Sequence, residues 1–308
     1  MKLYPVSVID FQDMFPTEQA CYDYLFLIKW PDGFVCSFCQ HAKYWKMKNH
    51  AIRCASCKRD ISLTANTIFQ DKHTPIRNIF QSMWYVVCQK QGVSALGLQR
   101  ILGVGSYETA WSWLHKLRTA MVRPGRDLLS GTVEVDETLV GGSQPGKRGR
   151  GAQGRELVLI TVEDKGKEGI GRIRLKHIPN ASGQSLTNAI KETVSTKSTI
   201  RTDGWKGYTN ITKHDYRHIM VNHHEDEPGE DPTPLAHRIA SLLKRWLLGT
   251  HQGGQQFSHL HYYLDEFVFR FNRRNSRSRG MLFYRLVQQA LQISPVTRDS
   301  LKAVYAVK

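Results

Sequence analysis

Two cysteine pairs constrain this chain more than any other feature: Cys36-Ser37-Phe38-Cys39 and Cys54-Ala55-Ser56-Cys57. Each pair puts two thiolates on one tight turn, and two such turns close a tetrahedral site around Zn²⁺. Fourteen residues separate the pairs, room for a short hairpin and slightly under the usual window for such a site. The competing readings are two disulfides or four buried free thiols. The N-terminal residues Met1 to Pro5 lack a secretory apolar run, so an intracellular location is expected, where disulfides are disfavoured. Four thiolates leave no open coordination position, so the zinc is expected to be structural. Cys21 and Cys88 have no partner at ligand spacing and read as small buried residues.

Around the zinc turns lie Lys43, Lys46, Lys48, Arg53, Lys58 and Arg59, interleaved with Tyr44 and Trp45. That mixture suits contact with DNA, and equally a solvated surface with two aromatics over a small core. Here composition matters. The chain carries 43 Lys+Arg against 27 Asp+Glu, a formal net charge of +16 over 308 residues. An excess of this size fits a polyanionic partner. A membrane surface would call for a basic amphipathic helix or a lipidation signal, and neither is seen. No apolar stretch is long enough to span a bilayer. With 41% hydrophobic residues the chain can build a core.

Residues 75 to 120 follow a helical period through Ile76, Ile79, Phe80, Met83, Trp84 and Val87. A short helix, a turn around Gly103 and Gly105, and a second helix opening near Ser106 follow, the layout of a helix-turn-helix or of an ordinary helical hairpin. In the first case Tyr107, Glu108, Ser112, His115, Lys116 and Arg118 are expected to face outward. Pro124-Gly125 marks a boundary.

From residue 130 the pattern alternates. Thr132–Val140, Leu157–Val162, Arg172–Ile178 and Thr199–Gly204 read as strands, with a helix over Ser185–Val194, which predicts an α/β or mixed sheet. Gly141 through Lys147 matches seven positions of a phosphate-binding loop, but Arg148 stands where a hydroxyl must hold magnesium, and no helix follows. A basic hairpin loop carrying Lys147, Arg148 and Arg150 is the better reading, either on a nucleic-acid backbone or solvated.

Asp136 lies in the first of these strands and Asp203 at the end of a later one. Strand ends converge at one sheet edge, so the two carboxylates can meet, and hard oxygens suit Mg²⁺ or Mn²⁺. Glu134 and Glu137 compete with Asp136 for that role. Thr233 and Pro234 open a helix whose stripe Ile239, Leu242, Leu243, Trp246, Leu247 faces a core. His237, Ser241 and Lys244 fall on the opposite face, as a functional group or as a solvated surface. A second helix through Tyr263 and Phe267 ends in Arg270, Arg273, Arg274, Arg277 and Arg279, a candidate phosphate-binding cluster. Glu225 to Asp231 reads as a solvated acidic linker, with His223 and His224 giving it a metal-binding alternative.

These motifs, taken in order, resemble a bacterial insertion-sequence transposase with an N-terminal zinc ribbon and a DDE-type catalytic domain. The matching residues are Val133-Glu134-Val135-Asp136-Glu137-Thr138, Val140-Gly141-Gly142 with its basic loop, Thr202-Asp203-Gly204-Trp205-Lys206-Gly207-Tyr208, Leu243-Lys244-Arg245, and Tyr263 through Arg274. The resemblance implies an α/β ribonuclease-H-like catalytic domain over residues 129–308, preceded by a zinc ribbon over 1–65 and a helix-turn-helix-like segment over 66–128. It implies metal-binding aspartates at Asp136 and Asp203. The family's third position falls seven residues before a characteristic lysine, here Lys244, and so on His237 where DDE enzymes at large carry Glu. An imidazole leans from Mg²⁺ towards Mn²⁺. The implied activity is metal-dependent cleavage at the element's ends and strand transfer by the freed 3′-hydroxyl. The implied partners are double-stranded DNA and further copies of the chain, in a cytoplasmic, nucleoid-associated setting. Lys147, Arg148, Arg150, Lys206, Arg245, Arg270, Arg273 and Arg274 are then the DNA-contact candidates. The competing functions are a zinc-ribbon DNA-binding regulator with a non-catalytic C-terminal domain, and a structure-selective nuclease.

Overall fold

The computed structural model describes residues 3–141, 155–221, 231–252 and 257–302. The basic loop with Lys147, Arg148 and Arg150, and the acidic stretch 225–230 with His223 and His224, lie outside the described residues. The chain forms two compact units, Met1–Pro124 with Ser276–Ala303, and Gly125–Asn275.

In the first unit, helices α1 (Val8–Met14) and α2 (Glu18–Lys29) open on Ser7 and Thr17. Their hydroxyls accept from the N–H groups of Asp10 and Ala20. The ribbon follows as β1 (Tyr44–Lys46), β2 (Ile52–Cys54) and β3 (Asp60–Ile61), an antiparallel sheet of order β1-β2-β3. Its small core joins Phe26, Phe34, Ile52, Ile61 and Leu63 to Cys36 and Cys54. Helices α3 (Ile76–Cys88), α4 (Ala95–Leu102) and α5 (Tyr107–Ala120) come next. The turn between α4 and α5 uses Gly103 at φ 58°, where a side chain would be strained. Ser106 caps α5 through the Thr109 N–H.

The expectation of an outward face on α5 holds at Tyr107, which is exposed, and fails at His115 and Arg118, which are fully buried. The physical reason is packing on several sides, since α5 contacts α4 and also two helices from the far end of the chain.

The second unit is built on a five-stranded sheet. Its strands are β4 (Thr132–Val140), β5 (Glu156–Asp164), β6 (Ile170–Ile178), β7 (Thr199–Thr202) and β8 (Arg217–Met220). The order is β6-β5-β4-β7-β8, antiparallel through the first three and parallel from β4 to β8. This mixed sheet is the ribonuclease-H-like arrangement. Helix α6 (Gly183–Lys191) covers one face, where Leu186 and Ile190 pack on Val133, Val135, Leu159 and Ile200. Helices α7 (Pro234–His251) and α8 (Leu260–Asn272) cover the other, where Ile239, Leu243, Leu264 and Phe267 pack on Val158, Ile160, Val162 and Ile173. The expected stripe of α7 is thus on the core, with Leu242 and Trp246 partly buried at its margin.

The edge strand β6 is closed by the end of α8. Asn272 accepts from the Ile173 N–H at 2.8 Å and donates to the Ile173 carbonyl at 3.1 Å, as an added strand would. Arg274 donates to the carbonyls of Gly171 and Ile170.

The chain then returns to the first unit. The catalytic domain expected over residues 129–308 includes the stretch that forms α9 (Arg279–Ala290), and the structure packs that helix beside α3. Phe283 is fully buried within 6.2 Å ring-to-ring of Phe11, Phe15, Tyr24, Phe80 and Trp84. Burying an aromatic among aromatics outweighs sequence adjacency. Helix α10 (Arg298–Lys302) ends the described chain, with Arg298 and Lys302 paired to Glu108.

Candidate active site

Alternation along β4 sorts its three acids. Residues two apart share a face, so Glu134 and Asp136 point together and Glu137 points away. Glu137 accepts the buried Tyr208 hydroxyl at 2.5 Å. Glu134 is buried and accepts from the first N–H groups of α7. Asp136 remains as the acid that meets the side chain of His237.

Parallel pairing sets the second carboxylate. β4 and β7 run in register from Thr132↔Thr199 to Glu134↔Arg201. The same register carried two residues further brings Asp136 level with Asp203, just past the end of β7. Asp203 is held by the Trp205 N–H, which donates to its Oδ1 at 3.1 Å. Burial pushes the Asp136 carboxyl up to about 6, helped by the charges of Glu137 and Asp203, while the Glu137 N–H and His237 pull the other way. The Asp203 charge is the smallest of these influences, which puts its carboxylate within electrostatic reach of Asp136.

His237 is the fourth residue of α7 and about half exposed. Its Nε2 lies 3.1 Å from Asp136 Oδ2 and its Nδ1 2.8 Å from Asp231 Oδ2. Burial works against its charged form, but the bond to Asp231 and the charges of Asp136, Asp231 and Glu134 raise its pKa. In this arrangement the imidazole bridges two carboxylates as a donor; to ligate a metal it would give up the proton on the nitrogen facing Asp136. Lys244, two turns along α7, is exposed, as are Arg245 and Lys206.

The arginines at the end of α8 hold more structure than the sequence suggests. Arg270 is bound to the buried Glu266 at 2.7 Å. Arg273 lies 4.1 Å from the Phe269 ring centre and Arg274 4.2 Å from that of Phe271.

The thiols of Cys36, Cys39, Cys54 and Cys57 all lie within 4.8 Å of one another, the only such gathering of metal-ligand types among the described residues. Cys36 and Cys57 are 3.7 Å apart and Cys39 and Cys54 3.5 Å. Bonds of about 2.3 Å to a tetrahedral zinc require an edge of about 3.8 Å, so these residues fit the ion. Burial opposes a thiolate at Cys54, but the Cys57 and Ser56 N–H groups outweigh it and lower its pKa to about 6. At the other site, the donor types of Asp136, Asp203 and His237 suit a divalent cation, although among the described residues only the cysteines bring three or more ligand atoms within 4.8 Å of one another.

Sequence reasoning missed Tyr208, Asp231 and the role of Glu134. Tyr208 sits in the quoted Gly204-Trp205-Lys206-Gly207-Tyr208 run, where a buried Tyr needing a partner was a usable signal.

Residues 16–60 match the transposase zinc-ribbon domain, and residues 128–272 match the ISXO2-like transposase domain. No curated protein matches the chain. Among solved structures, a chain of the simian T-cell lymphotropic virus intasome in complex with PP2A regulatory subunit B56 gamma is 15% identical, covering 62% of this chain and 65% of its own at a TM-score of 0.30. A likeness that distant has no bearing on the site.

Proposed function

On the premise that this chain belongs to the transposases that carry a zinc-ribbon domain and an ISXO2-like transposase domain, we propose that it binds the ends of an insertion sequence, cleaves them and joins the freed 3′-hydroxyl to target DNA. The observation that carries the reading is the contact of Asp136 on β4 with His237 on α7, 3.1 Å apart, with Asp203 just past the end of the neighbouring parallel strand β7. Asp136 and Asp203, with His237, would hold the divalent cation. That ion, when bound, supplies Lewis acidity to an attacking and a leaving oxygen of a phosphodiester.

The chain's own residues do the rest. The Trp205 N–H holds Asp203 and the Glu137 N–H holds Asp136, which limits the reorganisation of the two carboxylates when DNA arrives. Lys244 and Arg245, exposed on α7 beyond His237, would take phosphate oxygens near the scissile bond. Lys206 lies three residues after Asp203 and suits the same strand. Residues 1–65 and 66–128 would recognise the element's ends, and two ends in one complex call for an oligomer. No described helix is long and apolar enough to cross a membrane, which fits an enzyme acting on DNA in the cytoplasm.

The test is a strand-transfer assay with purified protein, a labelled end fragment and Mg²⁺ or Mn²⁺. Asp136→Ala and Asp203→Ala should each abolish cleavage while leaving end binding intact. Full activity in both variants, with metal still required, would overturn the reading. End binding without cleavage by the wild-type chain would favour the regulator instead.

A further inference from the structure

Helix α7 starts without a cap of its own. Thr233 makes no side-chain capping bond, and Pro234 occupies the first turn. The N–H groups of Leu235 and Ala236 donate instead to Oε2 of Glu134, at 2.8 and 3.1 Å. That carboxylate comes from β4, a hundred residues away, and is almost fully buried. Its other oxygen lies 3.9 Å from Arg201, the residue paired with it across β7. An anion here satisfies two orphan donors and complements the positive end of the helix. Buried, it is screened little by salt.

The consequence lies in the spacing. Glu134 precedes Asp136 by two residues on one strand face, and His237 follows Ala236 directly on the helix. One acid of β4 therefore takes the backbone of the first turn of α7, and the next acid takes its imidazole, 3.1 Å away. Two bonds from one carboxylate to consecutive N–H groups fix both the distance and the rotation of that turn. Freed of them, the turn would fray and His237 with it.

We propose that Glu134 is a positioning residue that sets His237 against Asp136 and so completes the cation site. This rests on the reading that Asp136, Asp203 and His237 hold a divalent ion.

The first unit supplies an internal control. Helix α3 also begins at a proline, Pro75, with no side-chain cap, and Glu18 accepts from the Ile76 and Arg77 N–H groups at 3.2 and 2.8 Å. The device is the same, but no candidate metal ligand follows on that helix turn.

The experiment uses the zinc-loaded full chain. It measures amide exchange at residues 235–237 without added divalent metal, and Mn²⁺ binding by calorimetry. Glu134→Ala should speed exchange there and weaken Mn²⁺ binding about 10–100-fold, the usual loss for an outer-shell residue. Glu134→Gln, whose amide oxygen can still accept both N–H groups, should recover most of that affinity. Glu18→Ala should lower the melting temperature and leave Mn²⁺ affinity unchanged. If Glu134→Ala does not fold, Glu134→Asp carries the test: retracting the carboxylate by one methylene should weaken Mn²⁺ binding. Unchanged Mn²⁺ affinity in a folded Glu134→Ala or Glu134→Asp protein, with unchanged exchange, overturns the proposal. Wild-type protein that binds no Mn²⁺ would sink the metal-site reading, and the exchange measurement would still decide for or against Glu134.

Discussion

His237 Nε2 stands 3.1 Å from Asp136 Oδ2, a contact between residues 101 positions apart that sets an imidazole against a carboxylate of the central strand. Histidine suits Mn²⁺ better than Mg²⁺, because Mg²⁺ prefers hard oxygen donors. Strand transfer by the wild-type chain is therefore expected to run faster in Mn²⁺ than in Mg²⁺. His237→Glu should narrow that gap by raising the Mg²⁺ rate. Equal rates in the two ions for the wild type would count against His237 as a ligand.

Zinc removal should unfold the ribbon. Its core is a handful of apolar side chains around Cys36 and Cys54, too few to hold alone, and apparent zinc binding in such modules is worth about 10–16 kcal/mol. Cys54→Ser should lose the bound zinc by elemental analysis. Chelation of the wild-type chain should abolish amide protection across β1 and β2.

Acid should weaken the second unit through Glu163. Burial alone would raise its pKa, but the bonds and charge of Arg172, 2.6 Å away, with the N–H groups of Arg172 and Ser130, hold it below the ordinary 4.5. A depressed carboxyl contributes stability that is full above its unfolded pKa and is lost as pH falls through the folded one. Glu163→Gln should therefore cost about 2 kcal/mol near pH 7, the order for hydrogen bonds to a charged group, since Arg172 is partly exposed to solvent. The difference in melting temperature from wild type should shrink as pH drops below 4.5 towards the folded value.

Asn272 should matter for solubility. Its amide is bound both ways to Ile173 on the edge strand. Asn272→Ala should cost about 1–2 kcal/mol by chemical denaturation. It should also raise light scattering, because it opens an unpaired strand edge.

Gly280 leaves no room for a side chain: a Cβ there would lie 1.6 Å from the Pro5 carbonyl oxygen. Backbone cannot yield as a flexible side chain can. Gly280→Ala should lower the stability of the first unit by about 1–3 kcal/mol or more, read by thermal melting.

What the sequence made legible was local. β4 occupies the expected Thr132–Val140, because the alternation from Thr132 to Asp136 and the β-branched residues of the run favour a strand. The helices of residues 75–120, the α7 stripe and the thiol cluster follow for the same reason, short-range spacing. Helix α1 was there to be found, since Ser7-x-x-Asp10 is a capping pattern. Contacts at long range were not legible. Nothing near Glu134 says that it will cap a helix beginning at Pro234, and nothing near Phe283 says that it will join Phe11 and Phe15. His115 and Arg118 were expected outside because polar residues usually are, and lie inside because α5 is packed on several sides. Arg274 was expected on phosphate and is spent partly on the β6 carbonyls.

The return of α9 to the first unit also sets an order of assembly. Domains fold as units while the ribosome is still at work, the earlier-made ones first. Here the half that is made first lacks Phe283 until nearly the whole polypeptide has emerged. The half holding Asp136, Asp203 and His237 is complete by Asn275, so the end translated earliest is the last to close.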